Sequence, residues 1–132
     1  TPQKAPFRQS WKELYLCVFF HSNIEDNPEN TTRFLVIGRE RIPQSGNDKT
    51  SLLISAHDRA GALLEILAPF AKHNISLTSI ETRPALPEKW AYVFFIDLEG
   101  HVEQDNVKAA IEEIRPLVKE VRVLGSYPIA VL

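Results

Sequence analysis

SLLISAHDRAGALLEILAPFAKHN, residues 51–74, changes its hydrophobic period once, and that change decides the fold. Leu52, Ile54 and Ala56 recur every second residue, the period of a strand with one buried face. After His57 the period lengthens, and Ala62, Leu63, Ile66, Leu67, Phe70 and Ala71 fall on one stripe of a helix. Asp58 is placed to cap that helix by accepting a bond from a free amide of its first turn. Pro69 removes one backbone bond late in the helix, which is expected to end near His73 and Asn74.

Outward from this strand-helix unit the same logic continues. In NISLTSIETRP, residues 74–84, Ile75 and Leu77 alternate as in a strand, but the next aliphatic is Ile80, so the phase slips at Thr78 and Ser79. Such a slip predicts a β-bulge. RPALPEK reads as a loop between antiparallel strands, and WAYVFFIDLEG, residues 90–100, as the next strand. A second helix is expected over about residues 103–115, with Val107, Ala110, Ile111 and Ile114 inward and Lys108, Glu112 and Glu113 outward. EVRVLGSYP closes the series as a strand. The order is β-α-β-β-α-β, an α+β ferredoxin-like fold with both helices on one face of a four-stranded antiparallel sheet.

Upstream, LYLCVFF and TRFLVIG are two short apolar strands flanking a turn-rich loop with Asn27-Pro28. Two strands rarely fold alone, so residues 1–40 read as the end of a domain whose beginning is missing. RERIPQSGNDKT, from Arg39 to Thr50, has linker composition. The expected organisation is a remnant over residues 1–40, a linker over 41–49 and a regulatory domain over 50–132. The chain opens without an initiator methionine or an export signal, which fits a fragment of a longer protein.

Composition narrows the functions. The 132 residues are 44% hydrophobic and 24% charged, and 15 basic residues nearly balance 17 acidic ones. That balance gives no electrostatic footprint for nucleic acid or an acidic membrane. No apolar run approaches a membrane span. The single Cys17 excludes an internal disulfide and fits the cytoplasm, and His21, His57, His73 and His101 are scattered, so neither a metal nor another cofactor is expected. Phe94 and Phe95 are adjacent and point to opposite faces, without the basic flanks of an RNA-recognition sheet.

Two places carry chemistry. Gly61 falls in the first turn of the helix, where unpaired amides and the positive end of the macrodipole suit a carboxylate and an absent Cβ lets a ligand approach. The alternative is a glycine that eases a tight turn. A bulge at Thr78 and Ser79 would free backbone groups as acceptors for an ammonium, with Leu63, Leu77 and Ile80 as apolar wall. The alternative is ordinary core with a harmless irregularity. Together the features describe a site for a free hydrophobic amino acid.

Gly61-Ala62-Leu63-Leu64 and Glu81-Thr82-Arg83-Pro84 resemble the paired GAL and ESRP motifs of the phenylalanine-sensing ACT domain of the prephenate dehydratase family, with similarity over residues 50–128 that includes YVFFIDLEGH. The resemblance implies that L-phenylalanine binds where two ACT domains of a homodimer meet, through Gly61, Ala62, Leu63, Ser76, Leu77, Thr78, Ser79 and Ile80. It also implies that Glu81, Thr82, Arg83 and Pro84 lie near the ligand-dependent interface. A solvated ion pair is the alternative for Glu81 and Arg83. Ser76 departs from the family's usual asparagine, and Thr82 from its usual serine while keeping the hydroxyl. NTTRFLVIG is similar to the end of the family's catalytic domain. On that resemblance Thr32 would protonate the leaving hydroxyl of prephenate, Arg33 would hold a substrate carboxylate and Phe34 would complete the motif. Residues 1–20 fit the family less well, with Glu13-Leu14-Tyr15-Leu16-Cys17 where Leu-Tyr-Gly-Leu would be expected.

The resemblance therefore implies the feedback domain of a carbon-oxygen lyase of phenylalanine biosynthesis, allosterically regulated, with the fragment alone inactive. The regulatory domain of an aromatic amino acid hydroxylase shares both motifs and is the alternative. A hydroxylase, however, places its catalytic domain after the sensor, whereas here TTRF precedes it.

Overall fold

The computed structural model describes residues 15–21, 32–84 and 92–130. β1 (Tyr15–His21) and β2 (Thr32–Gly38) pair antiparallel, with Tyr15 opposite Gly38 and His21 opposite Thr32. There follow β3 (Asp48–Ala56), α1 (Ala62–Lys72), β4 (Leu77–Pro84), β5 (Tyr92–Glu99), α2 (Asp105–Ile114), a 3-10 turn (Arg115–Leu117) and β6 (Glu120–Pro128). The last four strands form one sheet in the order β4-β5-β3-β6, and every neighbouring pair is antiparallel. This is the βαββαβ arrangement expected from the alternating periods.

One core joins the sheet to both helices. Leu52, Ile54 and Ala56 of β3 and Phe94, Ile96 and Leu98 of β5 present alternate residues to a single buried cluster. Ile66 and Phe70 of α1 meet them there, with Val107, Ala110, Ile111 and Ile114 of α2. Both helices therefore cover the same face, because the period of two on the strands and the helical stripes have no other apolar surface to share.

On the opposite face buried polar groups survive by pairing. Ser51 Oγ donates to Asp97 Oδ1 at 2.6 Å and lies 2.7 Å from the hydroxyl of Tyr127, which is itself buried.

The strand slip is real. On β4 Leu77 pairs with Leu98 and Ser79 with Asp97, so Thr78 is an extra residue without a ladder partner. A second bulge was hidden in the sequence: Ser51 pairs with Gly125 but Leu52 with Val123, which leaves Leu124 of β6 out of register.

Some boundaries differ from expectation. Asp58 does not cap α1. The N-cap is Gly61, with φ 82° and ψ −2°, and no side chain caps the helix. Gly61 thus stands ahead of the first turn, not within it. The chain reaches it through two tight bonds, Arg59 N to His57 O at 3.0 Å and Ala62 N to Arg59 O at 3.3 Å, and a left-handed residue is what lets the helix start there. α1 ends as expected, in a Schellman arrangement: Asn74, with φ 56°, donates to Ala71 O, and Ile75 N donates to Phe70 O at 2.9 Å. β3 begins at Asp48, inside the stretch read as a linker, because Asp48 already pairs with Pro128. α2 begins two residues late, at Asp105. β5 begins at Tyr92, and Trp90 lies outside the described residues.

Candidate functional site: a left-handed turn and an edge bulge

Gly61 opens a bare helix end. Glu65 N bonds back to Gly61 O at 3.1 Å, and a Cβ built on Gly61 would meet nothing within 4 Å. A side chain at Gly61 would therefore enter open space, one residue ahead of the first turn of α1, where the macrodipole is positive. Beside it Leu63 is 40% exposed and Leu64 72% exposed, and Ala62 is half-buried. Sequence reasoning missed one partner of this turn. Arg59 forms a two-pronged ion pair with Glu65, Nη1 to Oε1 at 2.9 Å and Nη2 to Oε2, which staples the turn to the first turn of α1. The hydrogen bond from Arg59 holds the Glu65 carboxyl below its ordinary range.

The second half lies on β4, an edge strand of the sheet. Thr78 Oγ1 donates to Asp97 O at 3.3 Å across the bulge. Ser76 is exposed and its carbonyl accepts from Glu99 N at 2.9 Å, so that acceptor is already in use. Leu77 packs partly against the core, Ser79 is half-buried opposite Asp97, and Ile80 is 45% exposed opposite Ile96. Further along, Glu81, Thr82 and Arg83 are exposed, with Arg83 Nη2 3.7 Å from Glu81 Oε2 and Arg83 Nη1 3.4 Å from Thr82 O. That contact is loose and solvated. Pro84 ends the strand opposite Tyr92. Thr32, Arg33 and Phe34 are the first three residues of β2.

Register shows how the two halves are placed. Ser79 faces Asp97, and Asp97 faces Ser51, near the start of β3. Gly61 instead follows the far end of β3, five residues beyond Ala56. At a rise of about 3.3 Å per residue, Ser51 and Ala56 are about 16 Å apart along the strand. The turn at Gly61 and the bulge at Thr78 therefore lie towards opposite ends of the sheet.

A separate ionic cluster ties the helices. Lys72 Nζ and His73 Nε2, at the end of α1, each lie 2.9 Å from Glu113 Oε1 on α2. The Glu113 carboxyl is held below its ordinary range by the hydrogen bonds from Lys72 first and His73 second. A carboxyl lowered in the folded state adds stability above the unfolded value, about 4.3, and loses it as pH falls through the lowered value. Glu113→Gln is therefore expected to flatten the loss of stability as pH falls below about 5, read as urea midpoints against pH. Parallel curves for the two proteins would exclude this role.

Among the described residues no group of three histidine, cysteine, aspartate or glutamate side chains could hold a metal ion. Among them also, no helix is long and apolar enough to cross a membrane.

Residues 50–116 match the family model described as the ACT domain. The chain is similar to the bifunctional chorismate mutase/prephenate dehydratase of Pseudomonas aeruginosa, 49% identical over 119 residues, covering 90% of this chain and 33% of the relative. It thus spans about a third of the length of the curated relatives it matches. Among solved structures it is similar to a prephenate dehydratase from Arthrobacter aurescens in complex with L-Phe, at 37% identity and TM-score 0.71, covering 81% of this chain and 35% of that one. A structure described as GqqA, a novel type of quorum quenching acylase, aligns over 98% of this chain and 66% of its own at 25% identity and TM-score 0.79.

Proposed function

Because this chain belongs to the ACT domain family, we propose that residues 50–132 are the L-phenylalanine-sensing regulatory domain of a prephenate dehydratase. In this reading residues 1–40 are the end of its catalytic domain and residues 41–49 join the two. The parent enzyme converts prephenate to phenylpyruvate in the cytoplasm, with Thr32, Arg33 and Phe34 contributing to its active site, and the present chain alone is inert towards prephenate. The relatives' names and the solved L-Phe complex support the assignment.

The observation that carries it is the open helix end behind Gly61, flanked by exposed Leu63 and lying a strand's length from the bulge at Thr78. A homodimer resolves that separation. The turn at Gly61, Ala62 and Leu63 of one protomer takes the effector's carboxylate, and residues 76–80 of its partner supply acceptors and apolar wall. Glu81, Thr82, Arg83 and Pro84 continue along the same edge strand towards the interface. Phenylalanine then biases the dimer by its differential affinity for two arrangements, a coupling of about 1–3 kcal/mol.

Titration calorimetry tests the reading. Phenylalanine should bind with one site per protomer, and sedimentation should show the dimer population rising with the ligand. No heat up to millimolar phenylalanine would leave a dimerisation module without effector. Phenylpyruvate formed from prephenate by this chain would overturn its assignment as a sensor alone.

A further inference from the structure

Residues 42–47 have the composition of a flexible tether, yet they are bonded down along their length. Ile42 O accepts from His101 Nε2 at 2.8 Å. Ser45 N, Gly46 N and Ser45 Oγ all donate to the Asp48 carboxylate, at 2.9, 3.2 and 2.6 Å. Asn47 O accepts from Ile129 N at 2.9 Å, beyond the end of β6. Gln44 Nε2 lies 3.5 Å from Glu103 Oε2. Asp48 is 3% exposed and His101 2% exposed, so each bond set has one partner shielded from water.

His101 is the centre of this arrangement. Its Nδ1 accepts from Glu103 N at 3.1 Å while its Nε2 faces the Ile42 carbonyl. A backbone amide only donates and a carbonyl only accepts, so the ring is fixed as the Nε2–H tautomer. One ring therefore joins the β5–α2 turn to the strap. The turn itself is anchored to β3: Gly100 N donates to Asp48 O at 2.8 Å, and Thr50 Oγ1 donates to Gly100 O at 2.7 Å. Gly100, with φ 113°, holds a backbone conformation that side chains rarely adopt, and a Cβ there would crowd Gln104 Oε1 at 2.8 Å and Val107 Cγ2 at 3.0 Å.

We propose that His101 is a latch that turns residues 42–47 from a tether into a rigid strap, so that any displacement of β3 or the β5–α2 turn passes to the chain upstream of Ile42. The sensing function above would supply the displacement, and the latch itself stands without it. His101 acts here as a positioning residue through the two bonds of its ring.

Two substitutions separate those bonds. Asparagine reproduces the Nδ1 acceptor for Glu103 N but cannot reach Ile42. Glutamine reproduces the Nε2 donor. Nuclear relaxation on the ligand-free 132-residue chain should give order parameters near 0.85 at Ile42 and Gln44 in the wild type and in His101→Gln, and a fall below about 0.6 in His101→Asn. Because no effector is present, the outcome is independent of phenylalanine binding. Low values in the wild type, rigid values in His101→Asn or equal loosening in both variants would overturn the latch. So would an Nδ1–H tautomer in the imidazole nitrogen shifts of the wild-type chain, which needs no variant to fold.

Discussion

Phe70→Ala lowers the unfolding free energy by about 3–5 kcal/mol, the range for truncating a large aromatic side chain in a packed core. Phe70 is 1% exposed and sits in the last turns of α1, in the cluster that also contains Ile96 and Leu98 of β5. Its carbonyl receives the Ile75 amide that ends the helix, so the cavity would open beside the Schellman turn leading into β4. Collapse of the site would have to move that turn, which argues for the upper part of the range. Urea denaturation monitored by tryptophan fluorescence and circular dichroism reads the effect as a shift in midpoint at unchanged slope. A loss under about 1 kcal/mol would mean that the cluster is looser than its burial indicates.

Gly61→Val is expected to weaken phenylalanine binding by about 100-fold or more, equivalent to about 2.8 kcal/mol at 1.4 kcal/mol per tenfold. Two effects combine. Valine is a β-branched residue at φ 82°, where the left-handed region is strongly disfavoured, so the turn must rearrange and the first-turn amides lose their aim. Its side chain would also fill the open space at the turn, where a Cβ on Gly61 now meets nothing within 4 Å. Because that space is open, no core atom is displaced, and the cooperative transition should survive. Calorimetry on a variant that still unfolds cooperatively distinguishes the two kinds of damage. Unchanged affinity would remove the turn from the effector site.

Much of this was legible in the sequence because it rests on local period. Leu52, Ile54 and Ala56 mark a strand and Val107, Ala110, Ile111 and Ile114 a helix stripe, and all seven are buried as their spacing requires. The slip at Thr78 was visible because Leu77 and Ile80 bracket it in one strand, three positions apart where alternation needs two. The bulge at Leu124 was not, since Val123, Leu124 and Gly125 offer no polar alternation to break. Asp58 was a sound cap by type, but left-handed geometry at Gly61 moved the helix start three residues on, and propensity does not report a dihedral angle. Half of the candidate site was legible as motif, while the separation of its halves became apparent only from register. The bond between His101 and Ile42 was invisible for a simpler reason. It joins residues 59 positions apart, and no periodicity encodes a hydrogen bond made at that distance.

The extra residue at Thr78 also bears on how the sheet avoids uncontrolled growth. Among the described residues β4 ends the strand order, so no strand among them pairs with its outer side, and rows of unpaired backbone groups template open-ended stacking of identical chains. A long flat edge would accept strands in several registers and continue as a fibre. The bulge breaks the row two residues in and twists what remains, while Glu81 and Arg83 set opposite charges side by side near its other end. An added strand that slips by one position loses the match to both features at once. Among the described residues the irregularity thus acts as a register key, leaving a short interrupted edge in place of a long flat one.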